Sequence, residues 1–355
     1  MVASAGGCSS GSGSSGGATG AGATSIPRDK IAWSDVDAAI AQRLASDDLP
    51  GAVDLTVRDG KVLHDKAYGS YSHQTVVPIA SASKWLTSAV IMTLVEEGTL
   101  ALDAPVSTYL PEWSGDKEGV TLRQLLSHRA GVAGSSPCLG DPDLTLRECA
   151  ASMAQGKLDH EPGAEFHYGN AGYSVAAAAA EVAGGADFAT LFATRIATPV
   201  GMTSTSFSAG SSPDRNPVPA AGATSTMEDY SRFVAMMAGD GVAPNGTRVL
   251  QASSVTEIER DQVRGLDTRN DFAVQITGFG TYGLGTWRDR ADGNDTTQMV
   301  SGSGSVGFYP WIDRERHAYG VLLVNDAAGG SGRAVRSSTR IVHDLILPAI
   351  DNTPP

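Results

Sequence analysis

Apolar residues at Val36, Ala39, Ile40 and Leu44 fall on one face of a helix over 33–45, with Ser34 and Asp35 suited to cap its start. Alternation then takes over: runs at 52–58 and 62–68 flank Asp59-Gly60, a tight-turn pair, and predict a β-hairpin. The stretch 78–98 differs from both. It is too continuously apolar for a surface helix, so it predicts a buried one that starts near Pro78 and is stopped by Gly98. Further helices are predicted over 122–128, 144–155, 171–182 and 188–196, the last ending at Pro199. Strand character returns at 282–287, 299–303, 306–311 and 319–325, followed by a helix over 332–347. This order predicts a two-part α+β (or α/β) architecture. An antiparallel sheet built from both chain ends, about 31–80 and 230–350, is flanked by helices; an all-helical part, about 85–225, is inserted between, with a cleft at the junction.

Length changes the picture little: 355 residues exceed the usual domain, yet no long linker divides 29–355, so one large catalytic unit is predicted there. Lys and Arg number 26 against 39 Asp and Glu, a formal net charge of −13, so no nucleic-acid partner is expected. No apolar run is long enough to span a bilayer. Residues 1–28 are dominated by Gly, Ser and Ala and are predicted to form a flexible tether. Within it, Ala5-Gly6-Gly7-Cys8 resembles the end of a bacterial lipoprotein signal, although the basic and apolar signal regions are missing. That resemblance predicts lipidation of Cys8, a lipid anchor, and a periplasmic, outer-membrane or secreted location; the other reading is an incidental cysteine. Cys138 and Cys149 lie 11 positions apart. An exported protein would bridge them, the expectation adopted here, whereas a cytosolic one would hold two buried thiols.

The chemistry is expected where the buried helix begins. Ser81 lies near its start, among backbone N–H groups and the positive end of the helix dipole, and Lys84 leaves the same face three residues on. A lysine desolvated in an apolar site loses basicity, so its neutral amine can take a serine proton. Ser114 and Lys117 share the spacing but sit in a polar, Gly-bounded segment read as a surface loop, so context selects Ser81. Gly13-Ser14-Ser15-Gly16-Gly17 matches a nucleophile-elbow pattern without a strand before or a helix after it, and is set aside. Tyr168 and Asn170 precede an alanine-rich helix and form the only Tyr-x-Asn in the chain. A lysine ammonium nearby would favour the Tyr168 phenolate as a base toward the serine, and Asn170 can hydrogen-bond a substrate ester or amide.

Ser81-x-x-Lys84, Tyr168-x-Asn170 and Leu125-Leu126-Ser127-His128-Arg129-Ala130-Gly131-Val132 together resemble the serine β-lactamase and D,D-peptidase superfamily. Within it the chain is most similar to class C β-lactamase-like proteins and family VIII carboxylesterases, over about residues 33–349. The resemblance implies a penicillin-binding-protein-like fold and a serine hydrolase working through an acyl-enzyme on Ser81, without cofactor or metal. Catalytic roles fall on Ser81, Lys84 and Tyr168. Substrate and oxyanion contacts fall on Asn170, Gly302, Ser303, Gly304 and the main-chain N–H of Ser305. One departure stands out. The family's third motif carries a lysine or histidine where Gly302 stands, and no lysine follows Lys157. Loss of a cation that holds substrate carboxylates favours a small-molecule ester substrate with a short acyl chain. The alternatives are a β-lactamase, a D,D-peptidase or amide hydrolase, and a non-catalytic peptidoglycan-binding relative.

The seven histidines show no metal-ligand spacing, and His167 reads as a cleft-wall residue. Trp287 and Trp311 read first as core or strand anchors. The Gly302–Gly307 cluster lies between strands and so is no phosphate loop.

Overall fold

The computed structural model describes residues 26–207, 215–328 and 330–354. Cys8 and most of the predicted tether lie outside them. Helix α1, Trp33–Asp47, leads into β1, Gly51–Arg58, and β2, Lys61–Gly69. The Asp35 carboxylate accepts the Ala32 N–H at 2.8 Å, so one of the two expected caps is used. A two-residue strand β3, Val77–Pro78, pairs with β4, Thr224–Ser225. Helices α2, Ser83–Glu96, α3, Leu122–Leu126, α4, Leu146–Ala154, and α5, Ala171–Gly184, follow. Helix α6, Phe188–Phe192, runs through a wider turn into α7, Thr198–Val200. After β4 come α8, Met227–Ala238, α9, Ala252–Glu259, and α10, Phe272–Thr277. The late strands are β5, Trp287–Ala291, β6, Thr297–Ser301, β7, Tyr309–Asp313, and β8, Ala318–Val324. Helices α11, Ser331–Arg340, and α12, Leu347–Asn352, close the chain.

The six long strands form one antiparallel sheet in the order β2-β1-β8-β7-β6-β5, so the chain ends meet at its centre, where β1 pairs β8. Successive side chains on β1 and β8 enter different cores. Val53, Val321 and Leu323 join the large core around α2, α5 and α8, while Ala52, Leu322 and Val324 join a second one under α1 and the C-terminal helices. Burial on both faces explains why β8 reads as a nearly unbroken apolar run, while on β1 the polar Asp54 and Thr56 are buried among the apolar positions.

Three expectations are corrected. The central helix does not start at Pro78, because Pro78 is in β3 and Ala80 takes φ +46°, a left-handed conformation through which an α-helix cannot run. A single turn, Ala80–Ala82, intervenes before Ser83. The segment 282–286 is a bend, with Gly285 at φ +90° against the Lys84 carbonyl, and the strand begins only at Trp287. The region 230–350, assigned to the sheet part, also carries most of α8 together with α9 and α10, besides the expected helix realised as α11. Helix α8 had a legible signal: Thr226 caps the Asp229 N–H, and Tyr230, Phe233, Val234 and Met237 follow at helical spacing, all buried.

Cys138 and Cys149 are joined as a disulfide that ties the loop after α3 to α4, with Cα atoms 5.3 Å apart. Ser114 is exposed as expected, but Lys117 is buried and paired with Asp116 at 2.7 Å.

Candidate active site

The turn carrying Ser81 is held from several sides. Ser83 Oγ donates to Ala80 O at 2.6 Å and accepts the Ala223 N–H at 3.1 Å, while the Ile79 N–H donates to Ala223 O. Beneath it, the Tyr230 hydroxyl donates to Ala82 O at 2.8 Å. A Cβ on Gly304 would stand 2.2 Å from Ile79 O, so only glycine lets the β6–β7 turn approach the Ser81 turn this closely. The left-handed Ala80 is overdetermined by these contacts, which is the setting in which proteins keep a strained residue.

Lys84 is fully buried. Its ammonium nitrogen is 3.3 Å from Ser81 Oγ and also donates to Asn170 Oδ1 at 3.0 Å and Ala220 O at 3.2 Å. It lies 4.6 Å from the centre of the Tyr168 ring. Burial, with no carboxylate beside it to offset the cost, brings its pKa down to about 7. The amine is therefore substantially neutral at neutral pH.

Tyr168 stacks on Trp287, ring centres 5.3 Å apart, and its N–H donates to Asp271 Oδ2 at 2.9 Å. Its phenol is pushed up to about 12 by burial, against a smaller opposing effect of its hydrogen bond to Ser81. The expected phenolate is thus corrected. Burial dominates, and below that pKa Tyr168 is a neutral hydroxyl able to donate a proton.

Ser81, Tyr168, Asn170, Ser303 and Ser305 line one cavity of about 340 Å³. Gly302 and Gly304, expected among the substrate contacts, do not. A Cβ on Gly302 would point into the core, 2.9 Å from the Trp85 ring, because β6 turns alternate residues to opposite faces. Trp85 follows Lys84 on α2, and its indole fills the space in which a cation at 302 would have to lie. Trp287 is a cavity wall rather than a simple strand anchor, whereas Trp311 is in the core. His167 is exposed and is not among the cavity-lining residues.

Sequence reasoning missed the opposite wall, formed by Phe272 and Ile276 of α10 and Val335 of α11. Asp271 caps α10 through the Ala273 and Val274 N–H groups, so a capped apolar turn was there to be found. It also missed the environment of His128. This buried imidazole accepts the Gly169 N–H at Nδ1, 3.3 Å, and packs 4.4 Å from the Tyr168 ring. Burial, then the Lys84 charge, holds it well below the ordinary histidine pKa, so it is a neutral prop under the Tyr168–Asn170 turn.

The family model for beta-lactamase matches residues 36–343. This chain belongs to the beta-lactamase family. It is accordingly a serine hydrolase of the superfamily that includes the penicillin-binding proteins. Penicillin-binding protein 4 of Amycolatopsis lactamdurans is 31% identical over 271 residues, 65% of this chain and 70% of that protein. Protein flp of Staphylococcus aureus is 31% identical over 155 residues; that match takes in 39% of this chain and only 31% of flp, about a third of its length. A β-lactamase candidate from Bacteroides dorei DSM 17855 superposes with a TM-score of 0.81 at 30% identity, covering 90% of this chain and all of that one. A family VIII carboxylesterase shares the fold at a TM-score of 0.67 and 20% identity, covering 89% and 98% of the two chains.

In this geometry a Tyr168→Phe change removes one hydroxyl and leaves the stacking on Trp287 in place. Turnover should fall by roughly 10²- to 10³-fold, the usual worth of a positioned general acid, with a melting temperature close to that of the parent. Steady-state kinetics with circular dichroism melting measures both, and an unchanged kcat would exclude the role.

Proposed function

We propose that this β-lactamase-family hydrolase is a carboxylesterase for neutral, short-chain esters, acting through an acyl-enzyme on Ser81. The observation that carries the reading is electrostatic. Among the described residues no charged side chain lines the cavity, and position 302, where the resemblance places a cation, faces Trp85. A carboxylate-bearing substrate would find only hydroxyl, amide and apolar groups there. The apolar wall of Trp287, Phe272, Ile276 and Val335 suits a short hydrocarbon group, and about 340 Å³ suits a small one.

The steps follow from the site. Neutral Lys84 takes the Ser81 proton as Oγ attacks the ester carbonyl, and the developing oxyanion faces the main-chain N–H groups of Ser81 and Ser305. Tyr168 gives its proton to the departing alkoxide as the ester C–O bond breaks, and the proton held by Lys84 replaces it. Water then attacks the acyl-enzyme with the same groups reversed. In this reading Asn170, anchored on Lys84, holds the substrate carbonyl side.

The similarity to a protein named as a penicillin-binding protein supports a second reading, in which Ser81 is acylated by β-lactams. One comparison separates the two. The kcat/KM for p-nitrophenyl butyrate should exceed that for nitrocefin by at least ten- to a hundredfold, since a missing charge-assisted hydrogen bond costs an anionic substrate about 1.5–3 kcal/mol. Faster nitrocefin turnover would reverse the assignment. No turnover of either, with Ser81 unmodified by a fluorophosphonate in intact-mass spectra, would point to a non-catalytic binding protein.

A further inference from the structure

Helix α11 turns Val335 into the active-site cavity and carries Arg333, Arg336 and Arg340 into a separate groove of about 640 Å³ against α1. Arg43 of α1 forms part of the same groove, so four guanidinium groups meet two carboxylates there, Asp47 and Asp344. This local excess of positive charge runs against a chain whose formal net charge is −13. The carboxylates are unevenly engaged. Arg333 takes up Asp47 at 3.0 Å and Asp326 at 3.2 Å, whereas among the described residues neither Arg336 nor Arg340 has a carboxylate within ion-pair distance.

The floor of the groove is a preformed donor site. Arg43 is 5% exposed, with one terminal nitrogen donating to Ser338 Oγ at 2.7 Å and the other to Ala334 O at 3.2 Å. Ser338 in turn donates to Gly307 O at 2.6 Å, which fixes the guanidinium in place. Its Nε is buried without a hydrogen-bond acceptor, the nearest carboxylate oxygen being that of Asp47 at 3.7 Å. Held in this way, Arg43 contributes a fixed positive charge beneath the groove.

We propose that the α1–α11 groove binds a phosphate-bearing anion, with Arg336 and Arg340 as the two engaging groups and Arg43 as the fixed floor. Residues four apart on a helix stand side by side, and two guanidinium forks at that spacing match the several acceptor oxygens and near-double charge of a phosphate monoester. The groove exceeds the size of inorganic phosphate, so the natural ligand carries an organic part. A soluble phosphate ester and the headgroup of a lipid present the same chemistry to it.

The test uses the full chain, with calorimetric titration of pyrophosphate against chloride at matched ionic strength. It is paired with co-sedimentation on phosphatidylcholine vesicles with and without phosphatidic acid. Saturable pyrophosphate binding is expected, weakened at least tenfold in Arg336→Gln/Arg340→Gln and tightened several-fold in Asp344→Asn, which removes a competing carboxylate. Hydrolysis of p-nitrophenyl butyrate should be unchanged in all variants, as none touches the cavity. Sedimentation with phosphatidic acid that the double variant loses assigns a lipid headgroup; saturable binding of pyrophosphate without sedimentation assigns a soluble ester. Binding no stronger than chloride's in both arms, or binding indifferent to the double variant and to Asp344→Asn, overturns the site.

Discussion

Replacing Ser81 by alanine will lower kcat/KM for p-nitrophenyl butyrate by roughly 10⁴- to 10⁶-fold, the range seen when a covalent nucleophile is lost from a preorganised site. The change removes one oxygen from a turn whose shape does not depend on it. Ser83, Ala223, Ile79 and Tyr230 hold that turn through hydrogen bonds that Ser81 Oγ does not join. The variant should therefore fold normally and still bind substrate, with the loss falling on kcat. The measurement is single-turnover kinetics alongside intact mass after fluorophosphonate treatment: the parent gains one adduct and Ser81→Ala none. A labelled Ser81→Ala protein would place the nucleophile elsewhere.

Lys84→Met should be nearly as damaging and should at the same time stabilise the fold. Because nucleophile and base act as a unit, the double variant Ser81→Ala/Lys84→Met should be little worse than either single change. The stability gain follows from linkage. Lys84 titrates near 7 when folded, against an ordinary value of 10.5. Between those values the unfolded chain binds more protons, so stability rises with pH across that window; the cost of the buried charge is full below about 7 and vanishes near 10.5. That cost is on the order of 4 kcal/mol at neutral pH, set against about 1 kcal/mol or somewhat more for each partner that Lys84 leaves unpaired at Ser81, Asn170 and Ala220. The melting temperature of Lys84→Met should exceed the parent's at pH 7, and the gap should close toward pH 10. In the parent, kcat/KM should rise with pH through about 7 and then level, because the neutral amine is the active form. A profile that falls through that range would remove Lys84 as the base.

Much of this site was legible from local pattern. Ser81 and Lys84 stand three apart at the head of a helix whose residues from Ser83 to Leu94 are all buried, and uninterrupted apolar character predicts such burial. The same holds for Tyr168 and Asn170 ahead of the buried, alanine-rich α5. The chain's departure at Gly302 was also visible, as a glycine where the resemblance calls for a cation. Its consequence was not. That Gly302 faces Trp85 depends on β6 packing against α2, an encounter between segments more than two hundred positions apart.

What the amino-acid sequence determined by itself was the family's chemistry-bearing residue types at their local spacings, and the helices and strands that carry them, because helical and strand periodicities are properties of neighbouring residues. The tertiary structure decided the protonation chemistry and the shape of the cavity. Lys84 loses its charge readily because distant segments bury it completely with no carboxylate beside it, and Tyr168 stays protonated because burial raises its phenol as well. Phe272, Ile276 and Val335 form a wall only where α10 and α11 meet the cleft. Desolvation and shape arise from everything that packs around a group at once, and no local pattern holds that information.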